Sequence, residues 1–234
     1  MEGTGSNKVF NFQEGEVLLI DKPLEWTSFD VVKKIRNAIK IKKVGHAGTL
    51  DPLASGLLIL CTGRKTKKIN EFQDQEKEYT GILVVGKTTP SFDLETEVEN
   101  EQDISHLQIE DIKNATREFE GFIDQIPPIY SAVKINGKRA YTHARKGENV
   151  KIEPRKVEIK AFEITHIDLP NVYFRVVCSK GTYIRSLVND YGAKLGVGAY
   201  MSQLRRTKIG DFDVENAYQL TDLIEQINAL KPEE

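Results

Sequence analysis

The amino-acid sequence predicts a mixed α/β domain of the α+β kind. Segments with the apolar patterns of strands and helices follow one another without the regular alternation that a doubly wound fold requires. No segment recurs at a fixed interval, which argues against a repeat architecture. With 234 residues, of which 39% are hydrophobic, the chain is long enough to bury a substantial core.

The first strand and the first helix are predicted near the N-terminus. The apolar run at residues 16–21 (EVLLID) is typical of a buried strand. Ser28 is the predicted N-cap of a helix at residues 29–42, in which apolar residues recur at helical spacing. We expect residues 1–14 to form a flexible tail and residues 15–234 to form a single domain.

The next elements surround a glycine-rich loop at residues 44–56. A second strand is predicted after the loop at residues 57–63, and a short basic helix begins near Arg64. Residues 79–86 (YTGILVVG) predict a third strand.

An insertion is predicted at about residues 87–150. It starts with an acidic loop (SFDLETEVENEQD) that leads into a helix at residues 109–119, which Gly121 ends. The Asn136-Gly137 pair predicts the turn of a β-hairpin.

The remainder of the chain is predicted to contain two long strands and two helices. The strands are expected at residues 155–167 and 172–180, where β-branched and aromatic residues are frequent. The helices are expected at residues 183–194 and 221–230.

Composition limits the location and the kinds of site. No run approaches the roughly 18 apolar residues that a membrane span needs, and the N-terminus lacks the basic start and apolar core of a signal peptide. We therefore expect a cytoplasmic protein. Cys61 and Cys178 lie in apolar, strand-like segments, which favours buried, reduced thiols over a disulfide or a zinc site.

Charge is segregated along the chain, although the net charge is only −2. Residues 31–68 contain ten Lys or Arg and a single acid, Asp51, and residues 134–160 contain nine basic residues against three acidic ones. Residues 71–120 contain fourteen acids and four bases. This distribution predicts a basic face that binds phosphates, although solvated helix faces would give the same pattern.

The loop VGHAGTLDPLASG places Asp51 among glycines within the most basic part of the chain. Asp-Pro often begins a turn, and Gly45, Gly48 and Gly56 would allow positive φ, so one interpretation is a structural turn. The alternative is a reactive carboxylate, because surrounding bases stabilise the ionised form and small neighbours let a planar substrate approach.

Five ordered motifs resemble those of the TruB family of pseudouridine synthases. The segment GHAGTLDPLASG at residues 45–56 resembles the motif that contains the family's catalytic aspartate. Four further family motifs are matched, in order, by DKPLEWTS (21–28), KEY (77–79), CSKGTYIRSL (178–187) and LRRTKIG (204–210). The motifs together cover nearly the whole chain, whereas any one of them would be weak evidence.

The resemblance implies a pseudouridine synthase-like catalytic domain with a central, largely antiparallel mixed sheet, flanking helices and an insertion. It also implies that the substrate is uridine 55 in the T loop of tRNA, and that the uridine is flipped out of the RNA. We expect no cofactor and no metal, and we expect the protein to act as a monomer.

The same resemblance assigns catalytic roles to three residues. Asp51 aligns with the essential aspartate, as the nucleophile. Tyr79 aligns with the tyrosine that stacks on the uracil and takes the C5 proton, although a strand tyrosine is ordinarily a core residue. Arg185 aligns with the arginine that pairs with the aspartate; a cation in the first turn of a helix opposes the helix dipole and needs an anionic partner, which a phosphate would also supply.

Other residues align with the substrate-binding positions of the family. His46 corresponds to a histidine inserted near the vacated base stack, although a histidine in a glycine-rich loop is more often structural. Tyr183 and Leu204 correspond to residues that line the uracil pocket. Further candidates, for support of the site or for phosphate contact, are Lys22, Tyr130, Arg205 and Arg206.

The chain departs from the family pattern in two places. Glu25 occupies a position that is usually Gly, which puts the local loop geometry in question. The chain ends at Glu234, about where the family's catalytic domain ends, so we expect the C-terminal RNA-binding, PUA-like domain of many relatives to be absent.

Two other functions compete with pseudouridine synthesis. A non-catalytic RNA-binding or RNA-folding module would use the basic face without needing Asp51. A glycoside-cleaving hydrolase would use Asp51 as nucleophile, but that class normally needs a second carboxylate, and no acid lies near Asp51 in sequence.

Overall fold

The computed structural model describes residues 10–131, 133–135, 137–148 and 150–229. The strands are β1 (Val17–Lys22), β2 (Val44–His46), β3 (Ala54–Thr62), β4 (Lys77–Val85), β5 (Gly121–Gln125), β6 (Lys134–Ile135), β7 (Lys138–Arg139), β8 (Arg155–Asp168), β9 (Asn171–Cys178), β10 (Ala199–Ile209), β11 (Phe212–Asp213) and β12 (Tyr218–Gln219). The α-helices are α1 (Ser28–Ile39), α2 (Ile69–Gln73), α3 (Ile109–Asn114), α4 (Ala140–Ala144), α5 (Ile184–Lys194) and α6 (Leu220–Ala229). Short 3₁₀ helices span Gly63–Lys68, Ala115–Phe119 and Val214–Asn216.

These residues form two compact units. The first contains the described residues up to 74 and from 211 onwards, and the second contains those from 75 to 210. The predicted mixed α+β fold with a largely antiparallel mixed sheet and flanking helices is confirmed. The single domain predicted for residues 15–234 and its insertion at about 87–150 stay predictions.

In the first unit, β1 lies between β3 and β12. It pairs antiparallel with β3 and parallel with β12, and β2 pairs antiparallel with the last three residues of β3. One face of these strands is covered by α1 and α6, whose apolar residues are buried with those of the strands. The shared core consists of Leu18, Ile20, Val31, Val32, Ile35, Val44, Leu58, Leu60, Leu220, Leu223 and Ile227.

The predicted N-terminal tail is wrong for its last residues. Phe10 and Phe12 pack against this core, with their rings stacked at a centroid distance of 5.0 Å. Two aromatic rings bury enough apolar surface to hold a short segment in place. Residues 1–9 lie outside the described residues.

Helix α1 is capped by Thr27, not by the predicted Ser28. The Thr27 hydroxyl accepts a hydrogen bond from the Asp30 backbone N–H at 3.0 Å, and the Asp30 carboxylate accepts one from the Thr27 backbone N–H at 3.0 Å. This reciprocal capping box satisfies two amides that the helix leaves free at its N-terminus. Hydrogen bonds from the Thr27 side chain and backbone lower the pKa of Asp30.

In the second unit, five strands pair antiparallel in the order β10, β4, β9, β8 and β5. Aromatic rings of Phe119, Phe162, Phe174 and Tyr191 meet at centroid distances of 5.3–6.3 Å in its core. Helix α5 packs closely on β10, and Gly192 permits this approach. A Cβ at that position would lie only 2.1 Å from the Ala199 nitrogen. A side chain at position 192 would therefore separate the helix from the strand.

Most predicted elements are present, with shifted ends. The strands predicted at 16–21, 57–63, 79–86, 155–167 and 172–180 correspond to β1, β3, β4, β8 and β9, and the helices at 109–119 and 183–194 correspond to α3 with its 3₁₀ extension and to α5. Helix α1 ends at Ile39 instead of residue 42, with Lys40 in the left-handed conformation. The β6–β7 hairpin is present, although Asn136 of its predicted turn lies outside the described residues, as does Leu230 of the last helix.

Both cysteines are buried and free, as the sequence predicts. Burial raises the pKa of the Cys61 thiol to about 11 and that of the Cys178 thiol to about 12. Both thiols therefore stay protonated near neutral pH.

Replacement of the N-cap tests the observed start of α1. Thr27→Ala removes the acceptor for the Asp30 amide and should lower the free energy of unfolding by about 1 kcal/mol. Thr27→Ser keeps the hydroxyl and should cost much less, which urea unfolding of both variants would measure. Equal losses for Ala and Ser would contradict the capping role.

Candidate active site

Asp51 lies in the loop between β2 and β3. Its side chain is half-buried, and its carbonyl oxygen accepts a hydrogen bond from the Ala54 backbone N–H at 3.1 Å. The segment is therefore an ordered turn that leads into β3 and presents the carboxylate from a fixed backbone. The turn and the reactive carboxylate, which the sequence offers as alternatives, are structurally compatible.

Ser28 fixes the residue before Asp51. Its hydroxyl donates to the Leu50 carbonyl oxygen at 3.2 Å and accepts from the Leu50 backbone N–H at 2.9 Å. The Leu50 N–H and carbonyl oxygen are thereby both held to the first turn of α1. This explains why Ser28 is buried and why the adjacent Thr27 serves as the cap.

Lys22 fixes the residue after Asp51. Its side chain has no exposed surface, and its ammonium donates to the carbonyl oxygens of Pro23 at 2.8 Å, Trp26 at 2.6 Å and Pro52 at 3.4 Å. A buried ammonium is costly unless its donors are satisfied, so these carbonyls keep the DKPLEWTS segment against the Asp51 loop. Of the two roles that the sequence leaves open for Lys22, the burial favours support over phosphate contact.

Glu25 makes a further contact between the DKPLEWTS segment and the Asp51 loop, and its backbone is strained. Its N–H donates to the Pro52 carbonyl at 2.8 Å, and its φ is 65°, in the left-handed region. A residue with a Cβ pays about 1–2 kcal/mol for this conformation, which explains why glycine suits the position. Glu25 therefore adopts a conformation that glycine tolerates more easily, at the cost of local backbone strain.

The loop glycines have two different functions. Gly48 (φ 87°) and Gly56 (φ 103°) adopt positive φ, as the sequence suggests. Gly45 does not; it allows close packing instead, because a Cβ there would lie 2.7 Å from Cδ1 of Ile69. His46 follows on β2, half-buried and paired with Leu60 of β3.

Four sequence-predicted residues lie on neighbouring strands of the second unit. Tyr79 on β4 pairs with Arg206 on β10, and Leu204 pairs with Gly81, so the side chains of Tyr79, Leu204 and Arg206 project from the same side of the two strands. All three are buried, and Arg206 is only 1% exposed. Arg205 projects from the opposite side of β10, which separates it from this group.

Arg185 is buried in the first turn of α5 with an anionic partner. Its guanidinium Nε lies 3.5 Å from Oδ2 of Asp93, and both side chains are less than 5% exposed. Its Nη1 donates to the Ser91 carbonyl at 3.3 Å and its Nη2 to the Tyr130 carbonyl at 3.0 Å. Tyr130, a predicted candidate for support or phosphate contact, thus contacts Arg185 through its main chain.

Sequence reasoning missed Asp93 and Gln125. Asp93 lies within the acidic segment that was interpreted as a loop, and no local pattern distinguishes it from its acidic neighbours. Gln125 is fully buried at the end of β5 and hydrogen-bonds to Tyr183. The position of Gln125, two residues before a pair of prolines, is the only signal that the sequence offers for it.

Among the described residues, no group of His, Cys, Asp or Glu has the arrangement of a metal site. Within the same part of the chain, none of the helices combines the length and the apolar character that crossing a membrane requires.

Comparison with known proteins identifies the family. The family model described as TruB family pseudouridylate synthase (N terminal domain) matches residues 36–184, a stretch that includes Asp51, Tyr79 and Tyr183. The chain belongs to the TruB family. A second model, described as the tRNA pseudouridylate synthase B C-terminal domain, matches residues 185–233. The predicted family, and with it the enzyme class of pseudouridine synthases, is confirmed.

Curated relatives match nearly end to end. A tRNA pseudouridine synthase B of Flavobacterium johnsoniae is 54% identical over 217 residues, which cover 90% of this chain and 95% of the relative. Proteins of the same name from Chloroherpeton thalassium and Phocaeicola vulgatus are 52% and 49% identical, over 92% and 96% of this chain and 91% and 98% of their own lengths.

Solved structures agree with the fold. A chain of an archaeal box H/ACA sRNP Nop10-Cbf5 complex has a TM-score of 0.70 at 30% identity, covering 94% of this chain and 56% of that one. A chain of a Cbf5-Nop10-Gar1 complex has a TM-score of 0.72 at 33% identity, covering 92% and 54%. This protein spans little more than half the length of those two chains.

Glycine at position 25 should relieve the strain in the TruB motif. Glu25→Gly removes the left-handed penalty but adds flexibility to the unfolded chain, so the free energy of unfolding should rise by about 0.5–1 kcal/mol. Lys40→Gly, at the left-handed end of α1, is the matched control and should give a similar gain. A lower free energy of unfolding for Glu25→Gly, measured in urea, would contradict this expectation. It would show that contacts of the Glu25 side chain stabilise the fold by more than the backbone strain costs.

Proposed function

We propose that this chain isomerises uridine 55 in the T loop of tRNA to pseudouridine, with Asp51 as the catalytic carboxylate. The observation that carries the proposal is the family match across residues 36–184, in which Asp51 occupies a loop anchored on both sides. The tRNA substrate is supported by the name that the curated relatives share.

The reaction is an isomerisation in which atoms and charge balance. The bond between C1′ and N1 of the uridine breaks, the base rotates, and a bond forms between C1′ and C5. The hydrogen on C5 leaves as a proton, and N1 gains a proton. The chemistry therefore needs no oxidant, nucleotide or metal, and the residues have only to stabilise the detached base and move one proton.

Asp51 begins this reaction in one of three ways: it attacks C6, attacks C1′ or removes the C2′ proton. Each requires an ionised carboxylate held at a fixed distance from the flipped nucleotide. The hydrogen bonds of Ser28 to Leu50 and of Lys22 and Glu25 to Pro52 fix the backbone on both sides of Asp51. Such preorganisation lowers the barrier by removing motions that the substrate would otherwise have to restrict.

Tyr79 stacks on the uracil and accepts the C5 proton in this proposal. Flipping a base out of a folded loop costs a few kcal/mol of lost stacking, which an aromatic side chain offsets by about 1–3 kcal/mol. The main chain of Tyr79 is held on both sides, because β4 pairs with both β9 and β10.

The family resemblance supplies the roles of the other site residues in this proposal. Tyr183 and Leu204 line the uracil pocket, and His46 occupies the space that the base vacates. In this proposal Arg185 supplies a positive charge for the reaction, and Asp93 orients its guanidinium. Arg205 and Arg206 remain candidates for phosphate contact and support respectively, since Arg205 is half-buried and Arg206 is buried.

Two basic segments bind the phosphates of tRNA in this proposal, at residues 33–43 and 134–160. The second segment contains a surface cavity of about 940 Å³ whose lining includes Lys134, Lys151 and Arg155. Nearby, the guanidinium groups of Arg139 and Arg145 lie 6.0 and 5.6 Å from the Tyr141 ring centroid, a mixture of basic and aromatic groups that suits RNA. We place the protein in the cytoplasm as a monomer, with its tRNA substrate.

Asp51→Asn tests the catalytic assignment. The change removes the reactive carboxylate but keeps side-chain volume, so conversion of unmodified tRNA should be abolished while tRNA affinity and thermal unfolding stay near wild type. Asp111→Asn, an exposed change in the first turn of α3, is the matched control. Pseudouridine mapping and an assay for free uracil separate the competing functions. A wild-type protein that binds tRNA without converting it would favour the RNA-binding module. Release of free uracil would favour the hydrolase. Turnover by Asp51→Asn near the wild-type rate would overturn the assignment.

Tyr79→Phe and Tyr79→Leu separate catalysis from packing. Phe keeps the stacking ring but loses the phenolic oxygen, so single-turnover conversion should fall while tRNA affinity is retained, and Leu should impair both. A residue that only packs in the core predicts a silent Phe and a destabilising Leu. Tyr173→Phe, a half-buried tyrosine on the neighbouring strand β9, controls for loss of a hydroxyl. Normal conversion by Tyr79→Phe would end the general-base assignment without affecting the family.

A further inference from the structure

Two residues that face each other across β5 and β8 both contact Tyr183. Gln125 ends β5 and pairs with Arg155, the first residue of β8. Gln125 contacts the main chain of Tyr183, and Arg155 contacts its ring. The last residue pair between β5 and β8 therefore contacts Tyr183, which is distant from both strands in sequence.

Gln125 holds the main chain of Tyr183 by two hydrogen bonds. Its Oε1 accepts from the Tyr183 backbone N–H at 2.8 Å, and its Nε2 donates to the Tyr183 carbonyl at 3.0 Å. Because the two bonds restrain the peptide groups on both sides of the Tyr183 Cα, they fix its extended conformation (φ −97°, ψ 108°). The Gln125 side chain is fully buried, so both bonds are shielded from water.

Arg155 holds the ring of Tyr183. Its guanidinium lies 5.5 Å from the ring centroid, within the range of a cation–π contact. The contact restricts the rotation of the ring about its side-chain torsions, which the main-chain bonds of Gln125 leave free. The two residues therefore fix different parts of the same tyrosine.

The segment that follows Gln125 is attached to the same turn of α5. The Ser186 hydroxyl donates to the Ile126 carbonyl at 2.8 Å, and Arg185 donates to the Tyr130 carbonyl at 3.0 Å. The backbone position of Tyr183 is consequently coupled to that of Arg185, two residues later. A shift of Tyr183 would move both side chains.

We propose that Gln125 and Arg155 are positioning residues that set the orientation of Tyr183 for the isomerisation of uridine. The inference rests on the proposed function, in which Tyr183 lines the uracil pocket. Gln125 and Arg155 act through Tyr183 and do not touch the reacting atoms. An error of about 1 Å in the placement of such a residue slows an enzyme by as much as a hundredfold.

Two substitutions isolate the two contacts. Gln125→Met keeps the length of the side chain and loses both hydrogen bonds. Arg155→Lys keeps the charge for phosphate contact but loses the planar guanidinium over the ring. The matched controls are Gln108→Met and Arg117→Lys, which change exposed residues of the same unit.

Single-turnover conversion at saturating tRNA, tRNA affinity and thermal unfolding are measured for each variant. Gln125→Met should slow conversion by about tenfold to a hundredfold with tRNA affinity nearly unchanged, and Arg155→Lys should have a smaller effect of the same kind. Both controls should behave as wild type. All rates are measured well below the unfolding temperature of each variant, so that a loss of stability does not imitate a loss of rate.

A double-mutant cycle with Tyr183→Ala decides whether the effect passes through Tyr183. If it does, Gln125→Met should slow the Tyr183→Ala protein little further, whereas independent effects would multiply. A Gln125→Met protein that converts uridine at the wild-type rate, or losses that multiply in the double mutant, would overturn the inference.

Hydrogen exchange at the Tyr183 amide gives a readout that does not need activity. Gln125→Met should speed its exchange in the folded protein, and unchanged protection would contradict the restraint by Gln125. If wild type makes no pseudouridine, the proposed function fails and the catalytic role of the two residues fails with it. Faster exchange in that case would still establish the restraint itself.

Discussion

A buried ammonium group determines the geometry around Asp51. Lys22 has no exposed surface, and its ammonium donates hydrogen bonds to the carbonyl oxygens of Pro23, Trp26 and Pro52. These carbonyls come from two loops that are distant in sequence, so a movement of either loop would break a hydrogen bond of a buried ammonium. The main chain that follows Asp51 is thus held to a buried lysine through the Pro52 carbonyl.

The second unit uses the same kind of attachment. Arg185 and Gln125 are buried polar side chains whose partners are largely main-chain atoms of other segments. A hydrogen bond fixes direction as well as distance, whereas apolar packing mainly fixes distance, so such bonds can orient a loop that has no regular structure. This explains why the residues that match family motifs are frequently polar and nevertheless buried.

The sequence predicted the elements whose pattern is local. The periodic apolar residues of α1 and the long β-branched runs of β8 and β9 were sufficient to locate them. Strand β10 was missed because Arg205, Arg206 and Lys208 interrupt its apolar pattern. The N-cap was assigned to Ser28 because Thr27 and Ser28 are equally suitable by residue type, and only the contact of Ser28 with Leu50, 22 residues away, decides between them.

For the site, the sequence predicted residues that stand in family motifs but missed two of the residues that contact them. Asp51, Tyr79 and Arg185 stand in motifs that resemble the family's, and the comparisons show that family. Asp93 and Gln125 act on residues 92 and 58 positions away, and no short pattern encodes a contact at that separation. Lys22 could support the Asp51 loop or bind phosphate, and its burial decides between these two roles. Composition does not reveal that burial.

The protonated, inaccessible state of Cys61 and Cys178 has a practical consequence. A maleimide or iodoacetamide reagent needs an exposed thiolate, so neither native thiol competes with a cysteine introduced at the surface. Fluorophores or spin labels can therefore be attached to the β6–β7 hairpin and to a distant reference position in the otherwise unmodified chain. The distance between such probes would then report on the hairpin while RNA binds and leaves.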